Sequence, residues 1–390
     1  MIALEGLMLR RGGTVDPSKF LDEKFELYSI PAFDAGEPEL VFGKEIGSSK
    51  QIFQPGDVLL SKIVPHIRRS WVVGPERGRR IIGSSEWMVF RSDDFDPGYL
   101  RHVLLSDPFH RQFMQTVSGV GGSLLRAKPA QVAKIEIPFP EIAEQKRIAA
   151  ILDKADALRA KRRKALEQLD ALAQAIFIEM FGDPVQNPKE WPRIPLGELL
   201  INIESGKSPV CEDRPSKDGE WGVLKLGAVT KCEYLSSENK ALPVDVQPDV
   251  RFEVKAGDLL FSRKNTYELV AACALVDETP PRMLLPDLIF RFCFPENSRL
   301  NSSYLHRLLI TGSKRKEVQK LAGGAAGSMP NISKEKLRGL PIELPPLALQ
   351  QEFAERVKKV ELMKAEMRKS LRQLDALFSS LQHRAFRGEL

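Results

Sequence analysis

Two glycine-rich stretches, Ser118-Gly119-Val120-Gly121-Gly122-Ser123 and Gly323-Gly324-Ala325-Ala326-Gly327-Ser328, let backbone N–H groups come close to a phosphate. The same composition suits a flexible turn before a strand, so each stretch alone carries both readings. The stretches continue into Leu124-Leu125-Arg126-Ala127-Lys128 and Met329-Pro330-Asn331-Ile332-Ser333-Lys334. Side chains of similar chemistry follow two short apolar runs. They are Lys62, His66, Arg68 and Arg69, with Arg77, Arg79 and Arg80 in a Gly-flanked loop nearby, and then Arg263, Lys264, Asn265 and Tyr267. Phosphate contacts fix the register of a protein on a duplex, whereas base edges carry the sequence. Arginine pairs with guanine O6 and N7 and asparagine with adenine N6 and N7, each pair discriminating by roughly 1–3 kcal/mol. A nucleic-acid reading therefore takes in all of these residues together with Ser123, Arg126, Lys128, Ser328 and Asn331, against the alternative of solvated surface charge.

Catalytic chemistry finds no such support. Gly206-Lys207-Ser208 resembles the end of a phosphate-binding loop, but the first glycine of that loop, five residues before Gly206, would stand at 201, which is Ile201. There is no Asp/Asn-Pro-Pro-Tyr/Phe tetrapeptide, no dinucleotide fingerprint after a strand and no nucleophile elbow. His66, His102, His110, His306 and His383 form no metal-binding pair, and His102 and His306 read as core or surface residues. Cys211, Cys232, Cys273 and Cys293 make no Cys-x-x-Cys and read as buried free thiols. No catalytic or metal residue is assigned.

Composition is that of an ordinary globular protein, with 43% hydrophobic and 28% charged residues. A net charge of +6 over 390 residues permits a nucleic-acid partner without demanding one. No apolar run approaches the roughly 20 residues that span a bilayer, and no secretory signal opens the chain, so the expectation is no membrane and a cytoplasmic location.

The elements that must position these residues come in two copies. Leu166-Glu167-Gln168-Leu169-Asp170-Ala171-Leu172 returns as Leu371-Arg372-Gln373-Leu374-Asp375-Ala376-Leu377, a shift of 205 that also relates Tyr99-Leu100 to Tyr304-Leu305, Gly122-Ser123 to Gly327-Ser328, Pro140 to Pro345 and Gln145 to Gln350. So long a period indicates tandem domains with pseudo-two-fold symmetry, not a solenoid. Each copy has a mixed front part ending in a Pro-punctuated strand, Ile135-Glu136-Ile137-Pro138-Phe139-Pro140 or Leu340-Pro341-Ile342-Glu343-Leu344-Pro345-Pro346. A helix without Gly or Pro follows, roughly 142–181 and 347–386. The second copy opens with Trp191-Pro192-Arg193-Ile194-Pro195-Leu196-Gly197-Glu198-Leu199, whose counterpart at the same shift falls before Met1. The first copy is expected to lack that opening, and the chain to be quasi-circular.

Stepping 3.5 residues at a time from Ile148 meets eight apolar residues in ten, and from Phe353 seven in ten, against about four by chance, which is a coiled-coil seam. A helix of this length spans roughly 57 Å, long enough to act as a spacer. The two stripes bury each other most simply in antiparallel register, giving a dumbbell; two helices packed separately on their own domains is the alternative. The basic run Arg159, Lys161, Arg162, Arg163 and Lys164, and its more mixed copy around Lys364 and Arg368, read as a solvated or partner-facing surface.

With this layout, the doubled Gly-Asp-Val-Leu-Leu-Ser-Lys (56–62) and Gly-Asp-Leu-Leu-Phe-Ser-Arg (257–263), and glycine-Ser loops leading into Pro-punctuated strands and Gln145 or Gln350, the chain resembles the specificity subunits of type I restriction-modification systems. The resemblance implies an α+β fold of two globular mixed α/β target-recognition domains separated by two long antiparallel coiled-coil helices, a pseudo-two-fold dumbbell. Its parts are target-recognition domains at 1–140 and 184–345 and spacer helices at 141–183 and 346–390. It implies a non-catalytic subunit in which each domain reads half of a bipartite, asymmetric double-stranded DNA site. The helices, around Arg159, Arg163, Lys364 and Arg368, dock two DNA adenine methyltransferase (M) subunits, and restriction (R) subunits join them. S-adenosylmethionine, ATP and Mg belong to those partners. A coiled-coil scaffold for proteins and a solitary DNA-binding decoy are the rival readings.

Overall fold

The two proline-to-helix junctions both start long helices, Ile142–Phe181 and Leu347–Ala385. The computed structural model describes residues 1–10, 12–119, 125–324 and 329–390. Contacts divide the chain into two compact units, Met1–Lys164 with Arg368–Leu390, and Ala165–Met367, each mixed α/β. Among the described residues no helix is long and apolar enough to cross a membrane.

In the first unit a five-stranded sheet runs in the order Thr14–Val15, Lys50–Ile52, Ile81–Gly83, Lys24–Tyr28, Glu39–Phe42, and only Lys24–Tyr28 with Ile81–Gly83 is a parallel pair. A three-stranded antiparallel sheet places Val58–Ser61 between Ser70–Val72 and Trp87–Phe90. Val58 and Leu60 join the core around Tyr99, Leu100, Ile148 and Leu152, while Leu59 joins Tyr28, Phe53 and Trp87 on the other face. A strand covered on both sides needs a continuous apolar run, which is why this motif lacks alternation.

The second unit repeats the scheme. Leu259–Ser262 lies between Ile289–Cys293 and Cys273–Leu275, with Asn202–Ser205 on the outer edge. Gly222–Leu224 pairs antiparallel with Asn239–Ala241 and parallel with Met283–Leu284. The Gly-Asp pair before each central strand is a turn. Gly56 and Gly257 have φ of 86° and 92°, a conformation that other residues adopt only with strain. The following carboxylates hold the turns closed: Asp57 accepts from Gln54 N at 2.8 Å and from Arg91 Nε and Nη2 at 2.6 Å, Asp258 from Lys255 N at 2.9 Å and Arg291 Nη1 at 3.1 Å.

The strand and turn of the second copy's opening do have counterparts in the first copy. Ile2–Ala3 pairs with Glu136–Ile137 as Arg193–Pro195 pairs with Pro341–Glu343. Leu4 N donates to Ile135 O at 3.0 Å and Leu196 N to Leu340 O at 2.9 Å. Leu4 and Leu7, like Leu196 and Leu199, are buried. Leu4-Glu5-Gly6-Leu7 therefore takes the place of Leu196-Gly197-Glu198-Leu199 at an offset of 192, which a search at 205 passes over.

Segments of the long helices face each other antiparallel within each unit. In the first, Arg159 Nε reaches Asp375 at 2.7 Å, its guanidinium lies 4.3 Å from the Phe378 ring centroid, and Arg147 Nη2 donates to Leu390 O at 2.8 Å. In the second, Lys364 Nζ lies 2.6 Å from Asp170, Val360 packs with Leu169 and Ala173, and Phe353 sits edge-on to Phe177 and Phe181. The seam is narrower than the 3.5-residue stripe: Ile148, Ala155 and Leu169 are buried, but Leu158, Leu172, Met363 and Leu377 are about half exposed. The thiols are also more open than expected. All four are free, yet only Cys273 is buried.

Candidate nucleic-acid interface

The central strand of the first unit's three-stranded sheet runs past Ser61 into the segment leaving the glycine-rich stretch. Ala127 N donates to Lys62 O at 2.8 Å, Val64 N to Leu125 O at 3.1 Å, and Ile63 bridges Arg126 antiparallel. Two groups of candidates more than sixty residues apart in sequence thereby form one edge. Arg126 leans on Glu86, Nη2 at 3.2 Å and Nε at 3.4 Å, and exposed Lys128 precedes the short helix Pro129–Val132.

The second unit builds the same edge from different side chains. Ile332 N donates to Arg263 O at 2.8 Å and Asn265 N to Pro330 O at 3.3 Å; Lys264 bridges Asn331. Gly323 and Asn331 exchange both backbone hydrogen bonds at 2.9 Å, closing the base of the glycine-rich stretch. Arg263 Nε donates to Asn331 Oδ1 at 3.1 Å, and its guanidinium lies 5.0 Å from the centroid of the Phe290 ring. Lys334 Nζ is 5.6 Å from the same ring.

Several expected contacts are engaged internally instead. Arg69 is buried, its Nε and Nη2 each 2.8 Å from Asp34, and this guanidinium holds the Asp34 carboxyl below its usual range. Arg80 pairs in the same two-pronged way with Glu23, lowering that carboxyl too, and stacks on Phe20 and Phe25 with centroids at 4.0 and 4.9 Å. Neither offers its fork to a groove. Arg68 is tied to Asp107 at 2.6 Å and Leu105 O at 3.1 Å. Asn265 is buried, with Oδ1 receiving Thr266 N at 2.9 Å, so it shapes a turn rather than presenting an amide to a base.

His66, Arg77, Arg79 and Tyr267 are exposed, and Lys62 and Lys264 are half-buried. Ser123 and Ser328 lie outside the described residues. On the helices, Arg159 and Lys364 are taken up by the inter-helix ion pairs, Lys364 almost wholly buried with Glu361 also 2.9 Å away. They are thus not outward-facing groups, because each must neutralise an aspartate on the opposing helix. Arg163 remains half exposed at 3.3 Å from Asp375, and Arg368 lies on the second long helix. Sequence reasoning missed Glu86, Asp107 and Phe290, none of which carries a local motif. Among the described residues no cluster of three or more His, Cys, Asp or Glu is arranged to hold a metal.

Comparison with known proteins gives a consistent picture. The model of the type I restriction modification DNA specificity domain matches residues 99–168. The chain is 36% identical over 168 residues to the type I restriction enzyme EcoEI specificity subunit of Escherichia coli, covering 43% of this chain and 28% of that one. It is 25% identical over 308 residues to the EcoKI specificity subunit of Escherichia coli K12, covering 75% of this chain and 65% of that one. With the StySPI specificity subunit of Salmonella potsdam the identity is 23% over 374 residues, covering 90% and 79%. The chain thus spans less than two thirds of the length of the first two relatives. In fold it is similar to the type I restriction-modification S subunit from M. genitalium, with a TM-score of 0.58, 12% identity and coverage of 99% and 95%.

Proposed function

The chain belongs to the family of type I restriction-modification specificity subunits, and on that premise we propose that it is the DNA sequence-specificity subunit of such a complex. Each unit reads one half of a bipartite, asymmetric double-stranded site. The long helices form an antiparallel rod that separates the two reading heads and docks two DNA adenine methyltransferase subunits, which restriction subunits join. The subunit itself is non-catalytic and cytoplasmic; S-adenosylmethionine, ATP and Mg act on its partners.

The observation that carries this reading is the doubled edge. In both units the end of the central strand is stitched to the exit of a glycine-rich stretch in the same register, Lys62 with Ala127 and Arg263 with Ile332. The scaffold is shared and the side chains differ, Lys62 and Arg126 against Arg263 and Asn331, as two readers of unlike half-sites require. The rod is supported by equivalent ion pairs in the two units, Arg159 with Asp375 and Lys364 with Asp170.

Genome-wide mapping of methyladenine in the host with and without this gene tests the proposal. A bipartite motif that disappears with the gene is expected. An unchanged methylome, with no salt-dependent DNA affinity of the purified chain, would instead leave a protein scaffold. Exchanging residues 1–135 with those of a related chain should replace one half of the motif only.

A further inference from the structure

Most rigidly held arginines in this protein are neutralised by a carboxylate: Arg69 by Asp34, Arg80 by Glu23, Arg91 by Asp57, and Arg291 by Glu204 and Asp258. Arg263 is held as firmly, but by neutral groups. Its backbone is fixed on both sides, N donating to Leu288 O at 3.2 Å and O accepting from Ile332 N at 2.8 Å. Its Nε–H is taken by the Asn331 side-chain oxygen at 3.1 Å, and its plane rests on the Phe290 ring. Only the oxygen of an amide can accept that N–H, so Asn331 is oriented with its Nδ2 turned away from Arg263. No described residue accepts a hydrogen bond from either Nη of Arg263, and no described carboxylate pairs with it.

A rigid guanidinium that keeps its whole charge and two parallel donors is prepared for a ligand with two neighbouring acceptors. Guanine presents O6 and N7 in the major groove in that pattern, whereas adenine replaces one acceptor with an amino group. A phosphate also accepts a fork, but a mobile lysine serves it as well, and fixing a long side chain forfeits rotamer entropy that a non-specific contact gives no reason to lose. The equivalent position in the first unit is Lys62, and the equivalent of Asn331 there is Arg126, already leaning on Glu86. Building on the proposed function, we infer that Arg263 reads a guanine in the half-site of the second unit, with Asn331 and Phe290 as positioning residues that aim it.

The test replaces the gene in its own host by Arg263→Lys, Asn331→Ala or Asn331→Asp and maps methyladenine. Arg263→Lys keeps the charge and loses the fork. Discrimination at one guanine of one half-site should fall by about 5- to 150-fold. The other half-site should stay intact, which shows the chain is folded and assembled. Asn331→Ala should relax the same position, and Asn331→Asp, whose carboxylate would neutralise the guanidinium it holds, should relax it as well. A motif unchanged at every position, with methylation uniformly weaker, marks a phosphate contact and overturns the inference; so does relaxation in both half-sites. Absence of any bipartite motif with the wild-type gene overturns the proposed function itself, and this inference with it.

Discussion

Gln145 and Gln350, 205 residues apart, make the same three hydrogen bonds in the two units. Gln145 Oε1 accepts from Asp96 N at 2.9 Å and Nε2 donates to Pro140 O at 2.9 Å and Asp94 O at 3.4 Å. Gln350 does so with Asn301 N at 2.8 Å, Pro345 O at 2.8 Å and Arg299 O at 3.1 Å. Both side chains are fully buried. Each binds the cap of the helix that starts beside it, Pro97–Leu104 or Ser302–Ile310, to the first turn of a long helix. Next to them Tyr99 and Tyr304 donate to Pro138 O at 3.0 Å and Glu343 O at 2.7 Å. The glutamine thus ties the first turn of each long helix to the cap of the neighbouring short helix.

Removing this clamp should be costly because the glutamine side chains that meet these backbone groups are fully buried. Gln145→Leu or Gln350→Leu leaves one backbone N–H and two carbonyls without this partner, at roughly 1–3 kcal/mol for each such group that is buried. Urea unfolding of the full chain is expected to show a loss of at least about 2 kcal/mol for either variant. Two variants within about 0.5 kcal/mol of wild type would mean that water or relaxation replaces the clamp.

The second unit also contains an ion pair that the first does without. Lys314 Nζ, with no exposure, lies 3.0 Å from the Glu343 carboxylate and 2.6 Å from Pro341 O. The positions 205 residues earlier hold Phe109 and Pro138. Breaking a buried pair strands a charge, whereas replacing both members with apolar groups often costs little. Because Lys314 Nζ also lies 3.2 Å from Glu317 and Glu343 also pairs with Arg193 Nε at 3.0 Å, Glu343→Leu should destabilise by less than the roughly 3–5 kcal/mol of an isolated buried pair, and the added Lys314→Met should recover part of it. A double variant no more stable than the single one, in thermal or urea unfolding, contradicts this account.

How much of this was legible follows from the range of the forces involved. The long helices were, since an uninterrupted stretch with a regular stripe declares itself locally, and Ile142–Phe181 and Leu347–Ala385 fall within a residue of the expectation. The pairing of the Gly-Asp strands with the glycine-loop exits was visible only as a repeated order of motifs. The fate of individual arginines was not visible: Arg69 and Arg80 find their carboxylates 35 and 57 residues away, and no local pattern marks Asp34 or Glu23 as their partners. The opening residues Ile2 to Leu7 escaped because the two copies differ in length between the opening and the later landmarks, so the offset changes from 192 to 205. Asn265 misled because residue type alone does not reveal whether an amide turns inward.

Acid should weaken the second unit through His306. Its Nε2 lies 3.2 Å from Cys232 O and 3.0 Å from Cys273 O, a place for a neutral ring donating to two carbonyls. Burial, with Arg307 close by, pushes its pKa down to about 4. An unfolded histidine titrates near 6.5, so between these values the unfolded chain binds more protons than the folded one. Stability should be level in this respect above pH 6.5, fall on the order of 3 kcal/mol as pH drops toward 4, and lose little more from this group below that. His306→Gln removes the titration. Urea unfolding at stepped pH should show a flatter profile for the variant in this window; parallel profiles would assign the loss to other groups.

In the proposed complex the long helices set the spacing between half-sites, and the ion pairs show how to lengthen them without scrambling their register. Arg159 faces Asp375, and Asp170 faces Lys364. Insertions after Lys164 and after Lys369 fall between these two pairs on both helices and leave each pair intact. Four residues in each helix add about one turn, near 6 Å, or roughly two base pairs of duplex. Methyladenine mapping with the doubly extended chain should then give the same two half-sites separated by a longer unspecified spacer. Insertion into one helix alone shifts Arg159 against Asp375 or Asp170 against Lys364 and should abolish methylation instead. Unchanged spacing in the doubly extended protein would show that the partners, not these helices, hold the reading heads apart.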